Sequence, residues 1–161
     1  MRLALYQPDI PPNTGTLLRL GACLGIPIDV IEPCGFPFSD RSFRRAGLDY
    51  LERAECMRHI SWTAFQSTLR GNRDARLILL TTKVDMPYID FRFQSNDTLM
   101  VGRETAGVDD EVHRAADARI RIPMIPGVRS INVATAAAMV LGEAIRQTDG
   151  FPGAANRTKA E

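Results

Sequence analysis

Apolar side chains follow two rhythms along this chain: short unbroken runs, and stripes spaced three and four residues apart. The first run, RLALY at 2–6, ends in the proline-rich turn QPDIPPNTG and predicts a buried strand entering a loop. A helix is expected next, because Leu17, Leu20, Gly21 and Leu24 recur at i, i+3, i+4 and i+7, with Asn13 or Thr14 as its cap and Gly25 with Pro27 as its stop. Arg19 falls off that stripe and can look back towards the loop, although an exposed arginine is ordinarily a solvated face. Residues 26–33, IPIDVIEP, predict a second strand. Ser39 or Asp40 then opens a short helix within CGFPFSDRSFRRAGLDYL. Residues 53–58 are ambiguous, with strand as one reading. Ser61 caps an amphipathic helix through about Leu69, whose Trp62, Phe65 and Leu69 face the core.

The clearest buried strand is 76–82, RLILLTT, with four consecutive Leu or Ile residues between polar ends. Another is predicted at 98–101, closed by GRETAG. A third is expected at 118–124, where Arg119 and Arg121 alternate with Ile120 and Ile122, so that one face is covered. A helix over 111–116 joins the last two. The run from Ile122 to Gln147 continues from that strand through a stiff loop into an alanine-rich helix. Pro123 and Pro126 remove backbone donors and fix φ, Gly127 provides the turn, and Ser130 is the expected N-cap. Such a loop offers donors and acceptors at fixed positions, as a ligand platform does, and is equally an ordinary strand-to-helix connection. From Thr148 the periodicity is lost, which predicts loop and then a disordered tail over 154–161. Strands alternating with helices predict an α/β fold: a mostly parallel sheet with helices on both faces, in a single domain over 1–153.

Charge narrows the partners only locally. Twenty basic residues face 19 acidic ones, a net charge of +1, so any nucleic-acid contact must come from clusters. Arg41, Arg44 and Arg45 form one at i, i+3, i+4 with no acid at matching spacing, which suits phosphate contact; a solvated helix face is the alternative. No apolar run approaches the roughly 20 residues of a membrane helix, and the N-terminus is too short and polar for a signal peptide, so a cytoplasmic location and no membrane partner are expected. Three cysteines without CxxC pairing suggest neither disulfides nor zinc, and two distant histidines exclude a multi-histidine centre; no metal is expected.

In open α/β sheets ligands collect beyond the carboxyl ends of the strands. Here three strands end in Thr81-Thr82, in Gly102-Arg103-Glu104 and in Pro123 onward, loops able to converge on one pocket. No GxGxxG follows the first strand, and neither GxxxxGK[ST] nor GxSxG occurs. Neither histidine has an obvious catalytic partner. Elimination leaves transfer of a preactivated group, which needs neither metal nor nucleophile.

Four separated stretches, PPNTGTLLRL, FSDRSFRRAGLDY, LMVGRETAGV and IRIPMIPGVRSINVATAAAMVLGEA, together resemble the SPOUT superfamily of S-adenosylmethionine-dependent RNA methyltransferases, in its ribose-methylating branch. The likeness is strongest to the subfamily that methylates the 2′-hydroxyl of the tRNA wobble nucleotide, cytidine or modified uridine at position 34, and it runs from about residue 3 to Gly153. Asn13, Gly15 and Arg19 match the first motif, Gly102 and Glu104 the second, and Ile122, Pro123, Ser130 and Asn132 the third. The resemblance implies a cofactor held bent, chiefly by backbone, at Leu80, Gly102, Ile122 and Ser130. It implies catalytic roles for Arg19, Asn13, Ser130 and Asn132, and leaves Gly15, Glu104 and Arg103 without a defined role. A guanidinium is a poor base, so Arg19 is expected to grip a phosphate and stabilise the developing alkoxide. Arg41, Arg44, Arg45 and Arg129 are the expected tRNA phosphate contacts. A C-terminal trefoil knot and a homodimer are likewise implied, the latter consistent with small residues Ala134, Ala136, Ala137, Ala138 and Gly142, which packing within one subunit explains equally well. Ribose methylation at another tRNA or rRNA site, and a cofactor-free RNA-binding module, are the alternatives.

Overall fold

The computed structural model describes residues 1–38 and 55–153. Among them are six strands, β1 (Arg2–Tyr6), β2 (Ile28–Ile31), β3 (Cys56–His59), β4 (Leu77–Leu80), β5 (Thr98–Val101) and β6 (Ala118–Ile120). Four helices accompany them: α1 (Pro11–Leu24), α2 (Trp62–Arg70), α3 (Asp110–Ala115) and α4 (Val133–Gln147). The strands form one sheet in the order β3-β2-β1-β5-β4-β6, and every pairing is parallel. The short helix expected after Ser39, with Arg41, Arg44 and Arg45, and the tail 154–161 lie outside the described residues.

Alternation along β1 shows why helices cover both faces. Leu3 and Leu5 join Leu17 and Leu18 of α1 and Ala137, Val140 and Leu141 of α4 in one buried cluster. Ala4 and Tyr6 point the other way, into a second cluster with Trp62 and Phe65 of α2 and Val112 of α3. The helix expected at Ser61 is present, and the Ser61 hydroxyl accepts from Ala64 N at 3.1 Å.

Several expected boundaries shift, and three of the shifts have a clear physical cause. Helix α1 begins at Pro11 with Ile10 as N-cap and no side-chain cap bond, so neither Asn13 nor Thr14 caps it. Two prolines at the first helical positions give up N–H groups that have no intrahelical acceptor anyway, and they set φ for the helix. Gly25, with φ of 66°, closes it as expected. Helix α4 is capped by Asn132, not Ser130: the chain is not yet helical at Ile131, and Asn132 Oδ1 accepts from Ala134 N at 2.9 Å and Thr135 N at 3.3 Å. Strand β6 stops at Ile120 instead of reaching Met124, because the backbone of Arg121 leaves β4 for Met86 O and Tyr88 N, both at 2.9 Å. Of the ambiguous stretch 53–58, residues 56–58 belong to β3, which runs on to His59, while 53 and 54 lie outside the described residues.

One charged group interrupts the apolar strands. Asp29 in β2 is 2% exposed, and its carboxylate meets Arg2 Nε at 2.6 Å and His59 Nε2 at 2.8 Å. His59 therefore has a partner 30 residues away that no local motif signals. Removing the carboxylate leaves two polar groups facing an apolar strand, so Asp29→Ala is expected to lower stability by about 3 kcal/mol in chemical denaturation. A shift under about 1 kcal/mol would show that the cluster is solvated.

Candidate active site

The loops leaving β4, β5 and β6 enclose a cleft of about 580 Å³ at the carboxyl edge of the sheet. Leu80, Gly102, Ile122 and Ser130, the four positions implied for a cofactor, all line it, as do Asn13, Glu104 and Asn132. Backbone dominates its middle. After β5 the chain folds back on itself: Arg103 N donates to Gly107 O at 2.9 Å and Gly107 N to Arg103 O at 2.8 Å. A Cβ on Gly102 would lie 2.6 Å from the Gly107 carbonyl carbon, and Gly107 itself has φ of 71°. Both positions therefore favour glycine, for different reasons: a side chain at 102 would push this wall of the cleft apart, and one at 107 would be strained by its left-handed backbone.

At the mouth a chain of hydrogen bonds joins three loops distant in sequence. Asn132 Nδ2 donates to Asn13 Oδ1 at 3.0 Å, and Asn13 Nδ2 donates to Glu104 Oε1 at 3.0 Å. Glu104 Oε2 accepts from Asp9 N at 3.2 Å, while Glu104 N donates to Asp9 Oδ1 at 3.1 Å. The Thr105 hydroxyl also meets the Asp9 carboxylate. Every amide is thereby oriented, since Asn132 presents its oxygen to α4 and its nitrogen to Asn13. Burial, and then the neighbouring Asp9 side chain, push the Glu104 carboxyl above its ordinary value. Burial acts on Asp9 in the same sense, but hydrogen bonds from Glu104 and Thr105 outweigh it and hold Asp9 below the usual range. Asp9 is the participant that the sequence reading missed; its only signal is its place in the loop just before α1.

Other expected site residues lie apart. Arg19 is exposed on α1 and does not line the cleft of its own chain. Six residues from Asn13, it stands about 9 Å further along the helix and about 120° round it. Gly15 is buried within α1, and Pro123 and Arg129 are exposed on the loop before α4. Arg41, Arg44 and Arg45 lie outside the described residues. Among the described residues no group of three or more His, Cys, Asp and Glu side chains is placed to hold a metal ion, and no helix is long and apolar enough to cross a membrane.

A cleft lined by backbone, amides and the Glu104 carboxyl at the carboxyl ends of parallel strands marks the ligand-binding edge of an α/β protein. The model of the SpoU rRNA methylase family matches residues 1–142, and the chain belongs to that family. It is 59% identical over 145 residues to a tRNA (cytidine(34)-2′-O)-methyltransferase of Beijerinckia indica, covering 90% of each chain. A solved structure concerned with the 2-OH methylation of C/U34 on tRNA is 38% identical with a TM-score of 0.84, over 91% of this chain and 94% of that one. The SpoU methyltransferase AviRb from Streptomyces viridochromogenes, solved in complex with the cofactor AdoMet, is 25% identical with a TM-score of 0.81, over 91% of this chain and 60% of that one.

The two duties of Asn132 can be separated. Asn132→Ala loses the cap and the link to Asn13 and is expected to lower unfolding free energy by about 1 kcal/mol. Asn132→Asp keeps a capping oxygen but has no donor for Asn13, and is expected to stay within about 0.5 kcal/mol of wild type in the same denaturant titration. Equal losses in both variants would place the stabilisation in the Asn13 contact instead.

Proposed function

We propose that this chain methylates the 2′-hydroxyl of the wobble nucleotide of tRNA, at position 34, using S-adenosylmethionine, as a cytoplasmic homodimer with a single methyltransferase domain over residues 1–153. The observation that carries the reading is the 59% identity, over 90% of each chain, to a tRNA (cytidine(34)-2′-O)-methyltransferase. The cleft fits the cofactor: the four implied backbone positions share one cavity, and its glycine-built wall leaves room that a side chain at 102 would take. A C-terminal trefoil knot belongs to the same reading.

S-adenosylmethionine supplies a methyl group already activated on a sulfonium. What the protein must add is position, and help for the hydroxyl in losing its proton. Leu80, Gly102, Ile122 and Ser130 hold the cofactor in this reading. Asn13 and Asn132, fixed by their mutual bond and by Glu104, orient the ribose at the mouth of the cleft. Arg19 binds the phosphate beside the target ribose and stabilises negative charge developing on its 2′-oxygen; the proton leaves to that phosphate or to water. Arg41, Arg44, Arg45 and Arg129 hold the flanking tRNA backbone.

The exposed placement of Arg19 suits a site completed across a dimer. In α4, Ala134 and Ala137 are buried in the chain's own core, which accounts for them without a second subunit. Ala138 and Gly142 lie one turn apart on another face, next to exposed Met139, and a Cβ on Gly142 would meet nothing within 4 Å. That face has room for another helix.

Methyl transfer to unmodified tRNA tests the chemistry: Arg19→Ala is expected to reduce kcat/KM by about 100-fold or more, as loss of an alkoxide-stabilising group does, and turnover near wild type would remove Arg19 from the mechanism. Light scattering after gel filtration is expected to give twice the chain mass of 17.8 kDa, whereas a monomer with full methyl-transfer activity would refute the dimer.

A further inference from the structure

Asp109 stands at the N-cap of α3, where a short carboxylate ordinarily accepts from the helix's first free N–H groups, yet its side chain makes no capping bond. Its oxygens are turned outward from the helix instead. Oδ2 accepts from the Tyr6 hydroxyl at 2.5 Å, and Oδ1 accepts from Arg103 Nη2 at 2.6 Å. The Arg103 guanidinium also lies over the Tyr6 ring, 5.7 Å from its centroid. Three elements meet here: the end of β1, the loop after β5 and the start of α3.

Two of the three border the cleft. Arg103 lines it and is paired through its backbone to Gly107, so the position of its guanidinium is tied to the glycine wall. Asp110 and His113 of α3 line it from the other side. The Arg103 side chain is 27% exposed and that of Asp109 is 58%, so the ion pair by itself contributes little to global stability. Tyr6 is different, with only 2% of its surface exposed, and it anchors the pair to the core. A local rule broken at a cleft, with the freed carboxylate committed to two other elements, is the pattern expected of a positioning device.

We propose that Arg103, Asp109 and Tyr6 form a clamp that sets the spacing between the 102–107 loop and α3, and that Asp109 forgoes helix capping to hold the cleft at the width its ligand requires. The inference rests on reading the cleft as the S-adenosylmethionine site. None of the three residues is assigned to the chemistry: they are positioning residues, acting through the wall they brace.

Asp109→Ser tests this directly, because serine caps helices about as well as aspartate but cannot hold a guanidinium. Calorimetric titration with S-adenosylmethionine, steady-state methylation of tRNA and thermal unfolding are measured for wild type, Asp109→Ser, Arg103→Ala and the double variant. Each single change is expected to raise Kd and KM for the cofactor about fivefold, the scale of one partly exposed charge-assisted hydrogen bond, with kcat changed by less than about twofold. The double variant should bind no worse than the weaker single, and the thermal midpoint of Asp109→Ser should not fall. If wild type binds the cofactor and both single variants bind within about twofold of it, or if affinity falls only in step with the thermal midpoint, the clamp is refuted. Failure of wild type itself to bind would overturn the cofactor reading, and the clamp with it.

Discussion

Parallel strands cannot be joined by tight turns: each connection must cross back over the sheet before the next strand begins. In this chain that constraint puts every loop that follows a strand at the same edge. It brings the ends of β5, β4 and β6 side by side, although Leu80, Gly102 and Ile122 are separated by some 20 residues each in sequence. The cleft is thus a consequence of strand direction and order. What distinguishes it is the glycine-built wall from Gly102 to Gly107 and the amide chain from Asn132 through Asn13 to Glu104, which lock three otherwise independent loops to one another.

Much of the architecture was legible because hydrophobic pattern and strand direction are local properties. The unbroken apolar runs of β1 and β4, set among strands that alternate with helices, point to a mostly parallel sheet covered on two sides without long-range information. Boundaries were less legible where a distant partner decided them. Strand β6 ends early because Arg121 pairs with a segment 35 residues upstream, and the α4 cap moved from Ser130 to Asn132 because either residue type can cap and only the loop's path selects one. The buried Asp29–His59 pair has no sequence signature, since the two residues meet only when β2 and β3 align.

The site divides in the same way. Leu80, Gly102, Ile122 and Ser130 were assigned by resemblance, and the fold gathers them in one cleft. Asp9 escaped notice because its contribution is a set of hydrogen bonds to Glu104, 95 residues away, and not a recognisable catalytic type. Arg19 was readable as a residue but not as a location. It lies exposed on α1, outside the cleft of its own chain. The alanines of α4 likewise separate: Ala134 and Ala137 are buried within the chain, Ala136 lines the cleft, and Ala138 is half-buried.

Under the proposed function, this cleft directs a methyl group to one ribose hydroxyl of tRNA. Nucleoside mass spectrometry of tRNA from cells lacking the chain, mapped by nuclease fragments to position 34, tests it most directly. The 2′-O-methylated nucleoside at position 34 is expected to disappear, and to return when the wild-type chain is restored but not when Gly102→Ala is supplied. Persistence of that nucleoside, with loss of ribose methylation at some other tRNA or rRNA site, would contradict it.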